Sequence, residues 1–270
     1  MKSEGVREME NKNVLNEEEM EKLKLYAERL HLPDKLTEEY TYLNPTVIIV
    51  NAILSKNRNY DNVQGWVKNF QTKYDGISTL IELIKVIDQE TPKIFSENIR
   101  YKHESRINEI KEVASVFIKM KDNSEEDDLE VMQNWAKNTT YTNKEDPILK
   151  VKGIGIATFQ YLRILLGVET CKPDVQIKKF LETALNKDKT EKKFSEEEAI
   201  EIIEELSKEL NVGTRILDNS IWNYMRSKEE IENVTVEDMM YYIDFMNKEK
   251  LVLIQQYLEK RIKNLTNTKK

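Results

Sequence analysis

The chain has 270 residues, 34% of them charged and 39% hydrophobic, with a formal net charge of −7. This composition excludes a disordered tail, and the longest apolar run, residues 47–54, is far shorter than the roughly 18 residues that a bilayer span needs. One cysteine, Cys171, excludes an internal disulfide and a cysteine-ligated iron–sulfur cluster, and two distant histidines leave no zinc-binding pattern.

Apolar residues recur at helical spacing from one end of the chain to the other. Asn16 is a candidate cap for the first helix, Ser195 and Glu198 form a capping-box pattern, and Thr235 and Asp238 precede the last helix. Gly and Pro are rare and no segment alternates like a strand, so we predict an all-α fold. The predicted helices are 16–32, 46–57, 61–74, 77–88, 91–98, 103–120, 124–136, a short turn of helix at 146–150, 156–166, 173–186, 194–210, 214–226 and 236–264.

The first residues, "MKSEGVREMENKNVLNEEE", contain no apolar signal core. We therefore expect a cytoplasmic protein that has no membrane partner.

Charge is distributed unevenly along the chain. Residues 150–193 contain ten Lys or Arg and five Asp or Glu, a local charge of +5 that leaves −12 for the rest. The negative total argues against nucleic acid as a partner, whereas this basic segment favours one.

The basic segment begins with two of the chain's seven glycines, in "KGIG" at 152–155. The first glycine permits a positive φ, and the second removes a side chain from the crown of the turn, while Ile154 points back between the helices. Backbone N–H groups at the following helix start would then face outward, where the helix dipole favours a phosphate. With Lys150 and Lys152 beside them, they suit sequence-independent binding of the DNA backbone. A tight helical hairpin with ordinary glycines explains the same pattern.

The longer segment "VKGIGIATFQYLRILLG…KPDVQIKKF" resembles the signature of the helix–hairpin–helix, Gly/Pro-rich loop, aspartate superfamily of DNA glycosylases, which includes endonuclease III and 3-methyladenine glycosylase II. Three other segments resemble the family in order and spacing, over about residues 40–230. They are "NPTVIIVNAILSKNRNY" (44–60), "YKHESRINEIKEVASVF" (101–117) and "LDNSIWNYM" (217–225).

The resemblance implies that Asp174 is the essential acid, which stabilises the cationic sugar and orients or deprotonates the attacking water. Capping of the next helix explains an Asp after a Pro as well, and the two roles are compatible. Bifunctional members carry a lysine where this chain has Ala157, so the resemblance implies a monofunctional enzyme. Lys152 or Lys172 is the alternative source of an amine. Phe159 stands where the family usually has a small residue.

The resemblance also assigns the residues that contact DNA. The candidate wedge that fills the gap left by a flipped base is Asn57 or Arg58, and Trp222 is the candidate at the base pocket. The plainer explanation of Asn57 and Arg58 is a polar surface loop. The plainer explanation of Trp222 is core packing, which also applies to Trp66, Trp135 and Tyr224. The residues expected to bind the DNA backbone are Lys152, Gly153, Ile154, Gly155, Ala157 and Thr158.

The implied architecture is two helical domains with a cleft between them. Residues 43–167 would form a barrel-like domain that ends in the hairpin, and residues 1–42 plus 168–270 would form the second. The implied partner is double-stranded DNA bound by a monomer. The resemblance implies no resident cofactor beyond, at most, a monovalent cation at the hairpin backbone.

Three functions are compatible with these patterns. The first is a DNA glycosylase of base excision repair that hydrolyses the N-glycosidic bond of a damaged or modified base. The second is a catalytically inactive relative that binds DNA, and the third is a helical scaffold without nucleic acid. The sequence does not identify the damaged base or the role of the first 40 residues and the last helix.

Overall fold

The structure is a computed structural model that describes residues 14–35, 43–56, 58, 60–123, 125–186, 193–231, 243, 244 and 246–267. These residues are helical or connecting, with no strand among them, so the all-α prediction is confirmed. The helices are α1 (Glu17–Ala27), α2 (Pro45–Leu54), α3 (Tyr60–Lys73), α4 (Leu80–Asn98), α5 (Glu104–Lys119), α6 (Asp128–Asn138), α7 (Ile156–Leu165), α8 (Val175–Ala184), α9 (Glu196–Glu209), α10 (Thr214–Ile231) and α11 (Lys248–Asn267).

Side-chain caps fix several helix starts where the sequence predicts them. Asn16 and Glu19 exchange side-chain and backbone hydrogen bonds at the start of α1, and Ser195 and Glu198 do the same at α9. Each such box satisfies two backbone N–H groups that have no partner within the helix. Thr235 and Asp238, the predicted caps of the last helix, lie outside the described residues.

Several predicted helices differ from the observed ones. Residues 146–150 form turns instead of a short helix. The helix predicted to reach residue 32 ends at Ala27, because Arg29 and Leu30 donate to carbonyls three residues back. The helices predicted at 77–88 and 91–98 form one helix, α4, which begins only at Leu80 and is interrupted at Thr91 (φ 69°, ψ 152°). The residue before a proline avoids the helical region, which explains why the helix breaks ahead of Pro92 but not the positive φ of Thr91.

Helix α2 lies at the centre of the main core. All ten of its residues are buried, and it packs against α3, α4, α5, α6 and α7. Phe159 on α7 is fully buried in this core, with its ring 5.2 Å from and nearly perpendicular to the ring of Trp135. Trp135 meets Phe117 in the same way, and Trp66 packs against Tyr101. The bulky Phe159 is therefore accommodated, and Trp66 and Trp135 are core-packing residues.

A second group of contacts joins α1 to α8 and α9, with the rings of Tyr26 and Phe180 centred 5.1 Å apart. The chain divides into two compact units, residues 1–224 and 225–270. The glycine turn, the loop that holds Asp174, and Asp218 and Trp222 all belong to the first unit. The predicted boundary at residue 167 and the cleft remain predictions. Among the described residues, no helix combines the length and apolarity that crossing a bilayer requires.

Candidate functional site

The glycine turn between residues 151 and 156 has two glycines in different conformations. Gly153 has φ of +92°, which favours glycine, as the sequence predicts. Ile154 is buried in the main core, also as predicted. Gly155 has an extended φ of −100° that any residue can adopt, and a Cβ added there would meet nothing within 4 Å. No contact within the described chain therefore requires the second glycine.

Gly155 is the N-cap of α7, and no side chain caps this helix. The backbone N–H groups of the first turn have no intrahelical partner, and the helix dipole gives this end a partial positive charge. Lys152 and Gly155 are exposed here. The turn consequently presents bare backbone donors and one lysine at the surface, a chemistry suited to an anion.

Behind the turn, an ion pair holds Gly153 in place. The ammonium of Lys56, just after α2, donates to the Gly153 carbonyl and to Glu109 Oε2, the latter at 2.6 Å. Arg106 also donates to Glu109, at 2.8 Å. Burial lowers the pKa of Lys56, and the Glu109 carboxylate opposes that shift. A Cβ at Gly153 would lie 2.6 Å from Glu109 Oε1, so the close approach of this pair is a second reason for glycine.

Asp174 is the N-cap of α8. Its Oδ1 accepts from the backbone N–H groups of Gln176 at 2.9 Å and Ile177 at 3.3 Å. Its Oδ2 lies 4.0 Å from Lys172 Nζ. One carboxylate oxygen is therefore committed to the helix, while the other faces a lysine.

Lys172 contacts several residues around the Asp174 loop. Its ammonium lies 4.1 Å above the ring of Tyr161 and 3.4 Å from Ser55 Oγ, and 18% of the side chain is exposed. Burial lowers its pKa, against the attraction of Asp174 and Asp218. The positive charge of Lys172 therefore lies near two carboxylates at a position that is only partly exposed to solvent.

Asp218, on α10, is the second carboxylate of this cluster. Its Oδ1 accepts from the backbone N–H of Lys172 at 2.8 Å. Burial, reinforced by the nearby charge of Asp174, raises the pKa of Asp218 to about 7, although its bond to Lys172 opposes the shift. The titration of Asp218 is thereby shifted from the acidic range towards neutral pH.

The end of α2 connects the two parts of the site. Ser55 accepts from Lys172 of the Asp174 loop, and the neighbouring Lys56 donates to Gly153 of the hairpin. Three segments that the sequence singles out, namely 44–60, the hairpin and the Pro–Asp loop, therefore meet within one network of polar contacts.

A family model described as Domain of unknown function (DUF8548) matches residues 21–226. The chain belongs to this family. None of the curated proteins matches the chain. The DUF8548 match includes the hairpin, Asp174 and Asp218, so the whole cluster lies within the family's shared region.

Within the DUF8548 region, the predicted DNA-binding residues are not equally placed. Lys152, Gly153 and Gly155 are exposed and Ala157 is half-buried. Ile154 and Thr158 are buried, each with under a tenth of its surface exposed. The Ile154 and Thr158 side chains therefore pack inside the protein and offer at most backbone atoms.

The predicted wedge and pocket residues are only partly placed. Asn57 lies outside the described residues, and Arg58 is exposed. Trp222 is half-buried on α10, one helical turn after Asp218 and therefore on the same side of that helix.

Sequence reasoning missed Asp218 and the pair of Lys56 and Glu109. Asp218 lies in "LDNSIWNYM", of which the sequence predicts only Trp222 as a site residue. Lys56 is the first residue of "KNRN". Their positions in these two segments were the available signals. No sequence pattern distinguishes Glu109 as a functional residue, because glutamates are common on the polar face of an amphipathic helix.

The resemblance allows at most a monovalent cation at the hairpin backbone. The ammonium of Lys56 donates to the Gly153 carbonyl and would repel a cation at that atom.

Proposed function

We propose that this chain is a monofunctional DNA glycosylase, which releases a damaged or modified base from duplex DNA by hydrolysis. The observation that carries the proposal is the meeting of the hairpin, the Asp174 loop and the end of α2 in one network. A surface that grips a phosphate and a carboxylate that faces the adjacent sugar are the two parts such a reaction requires.

The hairpin supplies the grip on the backbone. Gly155 leaves room for an atom of the ligand, and the first N–H groups of α7 point out of an uncapped helix end. Backbone amides and Lys152 contact phosphates without reading bases, so this binding is independent of sequence. The base must then be selected elsewhere, and Trp222 on α10 is the aromatic candidate.

Asp174 supplies the chemistry. When the N-glycosidic bond breaks, the electron pair of that bond leaves with the base, and the sugar C1′ becomes cationic. Water then adds to C1′ and loses a proton. A fixed carboxylate stabilises that cation and accepts the proton. The two backbone bonds to Oδ1 hold the group in one orientation. Ala157 offers no amine, and the ammonium of Lys172, the alternative amine beside Asp174, is engaged with Asp174, Ser55 and the Tyr161 ring. We therefore assign water as the nucleophile.

One observation favours the catalytically inactive, DNA-binding alternative. The cap contacts of Asp174 give this residue a complete structural role, and capping alone is sufficient to explain it. The two functions differ only in whether a base is released.

Asp174→Asn separates the two roles, because Asn caps a helix about as well as Asp but cannot accept the proton. Wild type and variant would be incubated with duplexes bearing uracil, 8-oxoguanine, alkylated purines or deaminated purines. Abasic sites would be revealed by heat or alkali, and an untreated lane would report strand cleavage.

We expect release by the wild type alone, no cleavage before treatment, and equal unfolding free energies for the two proteins. Equal release by both proteins would contradict the role of Asp174. Binding to DNA without release from any duplex would support the inactive relative, and a protein that neither binds DNA nor releases a base would refute both.

A further inference from the structure

We infer that Asp218 is a positioning residue for Asp174, which acts through Lys172 and holds a proton that sets the charge of the site. The inference deepens the proposed function at one point, because it concerns how the acid of that reaction is held.

The first support is the hydrogen-bond geometry of the loop. The backbone N–H of Lys172 donates to Asp218 Oδ1 at 2.8 Å, and the backbone N–H of Asp174 donates to the Lys172 carbonyl at 2.6 Å. These two hydrogen bonds connect α10 to Asp174. Asp218 holds the backbone of Lys172, and the Lys172 carbonyl holds the start of the turn that carries Asp174.

The second support is the arrangement of charge. Among the described residues, the Asp174 carboxylate and the Lys172 ammonium act on the charge of Asp218, and Asp218 in turn acts on the buried thiol of Cys171, as Glu204 and Asp174 also do. With Asp218 protonated, Lys172 balances Asp174 and the cluster is neutral. Loss of that proton leaves one net negative charge beside the proposed path of the DNA backbone.

Burial and the charge of Asp174 raise the pKa of Asp218 to about 7, which puts this change of charge near neutrality. A negative charge near phosphates opposes DNA binding. We therefore expect the affinity for a short duplex to fall as the pH rises through about 7 in the wild type.

The matched variants are Asp218→Asn and Asp218→Ala. Asn keeps an oxygen acceptor for the Lys172 N–H but cannot ionise, whereas Ala has neither the acceptor nor an ionisable group. We expect Asp218→Asn to bind duplex DNA with wild-type affinity at pH 6 and to retain that affinity at pH 8, where the wild type has lost several-fold. A structural role alone would not produce this selective loss of pH dependence.

A carboxyl-carbon NMR titration tests the cluster without DNA. We expect the Asp218 midpoint to move down by about one pH unit in Asp174→Asn, because a like charge is removed, and up by a similar amount in Lys172→Met, because an opposite charge is removed. Opposite signs are required; a midpoint that is unchanged in both variants overturns the inference.

The two measurements separate this inference from the proposed function. If no duplex binds at any pH, the proposed function fails while the titration still decides whether Asp218 senses Asp174 and Lys172. If the wild type binds DNA with the same affinity at pH 6 and pH 8, the charge-setting role is overturned although DNA binding stands.

Discussion

At the scale of single residues, the two hairpin glycines have different reasons to be glycine. Gly153 needs its positive φ and has Glu109 Oε1 2.6 Å from the position of a Cβ. Gly155 has neither constraint, since its φ is ordinary and its surroundings are open. The first glycine is therefore required by the fold, and we propose that the second is required by the ligand.

Exchange of each glycine for alanine tests that division. We expect Gly153→Ala to lower the free energy of unfolding by about 1–3 kcal/mol, from backbone strain and from displacement of the Lys56–Glu109 pair. Gly155→Ala should lower it by less than about 1 kcal/mol, because Ala is a poorer N-cap than Gly, and should weaken DNA binding, because its methyl group covers the outward N–H groups. Urea denaturation and duplex titration measure the two effects.

Each alanine variant is the control for the other. A loss of stability in Gly155→Ala as large as that in Gly153→Ala would mean that the second glycine is also structural, and it would remove the principal support for an anion at the hairpin.

At the scale of helices, the start of α8 combines a cap with the proposed catalytic acid. Removal of the cap in Asp174→Ala leaves the N–H groups of Gln176 and Ile177 without their side-chain acceptor. We expect a loss of about 1 kcal/mol in unfolding free energy for Asp174→Ala and little change for Asp174→Asn. Thermal or urea unfolding checks both. Equal losses in the two variants would show that the carboxylate charge, and not the cap, stabilises α8.

Helix positions were largely predictable from the sequence, because apolar spacing and capping residues act locally. The capping boxes at Asn16 and Ser195 and the helix boundaries near Pro45 and Asp174 follow from such signals. The turns at 146–150 did not follow, since Asp146 there accepts from Thr139 and Trp135, residues of another segment. Local patterns do not contain such tertiary hydrogen bonds.

The candidate site was predictable in its parts but not in its connections. Asp174 and the glycine turn have local signatures, whereas the contacts of Lys56 with Gly153 and of Asp218 with Lys172 join residues 97 and 46 positions apart. Such pairings depend on how α2 and α10 pack, and a single sequence does not encode that packing in a readable pattern.

At the scale of the whole molecule, a chain with net charge −7 is proposed to bind DNA through a segment of charge +5. Binding of that kind releases counterions and weakens as salt rises. We expect the logarithm of duplex affinity to fall linearly with the logarithm of salt concentration, and Lys152→Ala to reduce the slope by about one. A titration series at several salt concentrations measures both slopes.

Lys137, in the last turn of α6 and also exposed, supplies the control. Lys137→Ala removes the same charge from a helix outside the hairpin and should leave the salt slope at its wild-type value. Equal reductions in both variants would indicate general charge attraction and would contradict a backbone contact at the hairpin.

The half-buried carboxylate of Asp218 links the site to the stability of the whole fold. Its pKa is raised from 3.8 to about 7 on folding, so between these pH values the folded protein holds a proton that the unfolded chain has released. Stability from this group is therefore greatest at low pH and declines as pH rises towards 7, by at most about 1.4 kcal/mol per pH unit. Above about pH 8 both states are ionised, and the contribution becomes constant.

Asp218→Asn isolates that contribution, because Asn resembles the protonated acid at every pH. We expect the wild type to be already the less stable of the two at pH 5, and the difference to widen by at most about 1.4 kcal/mol per pH unit until about pH 7 and then to stay constant. Urea denaturation at intervals between pH 5 and pH 9 gives the difference directly. A difference that is flat across this range would mean that Asp218 is ionised in the folded protein, and the cluster with Asp174 and Lys172 would then carry a fixed negative charge instead of a titrating one.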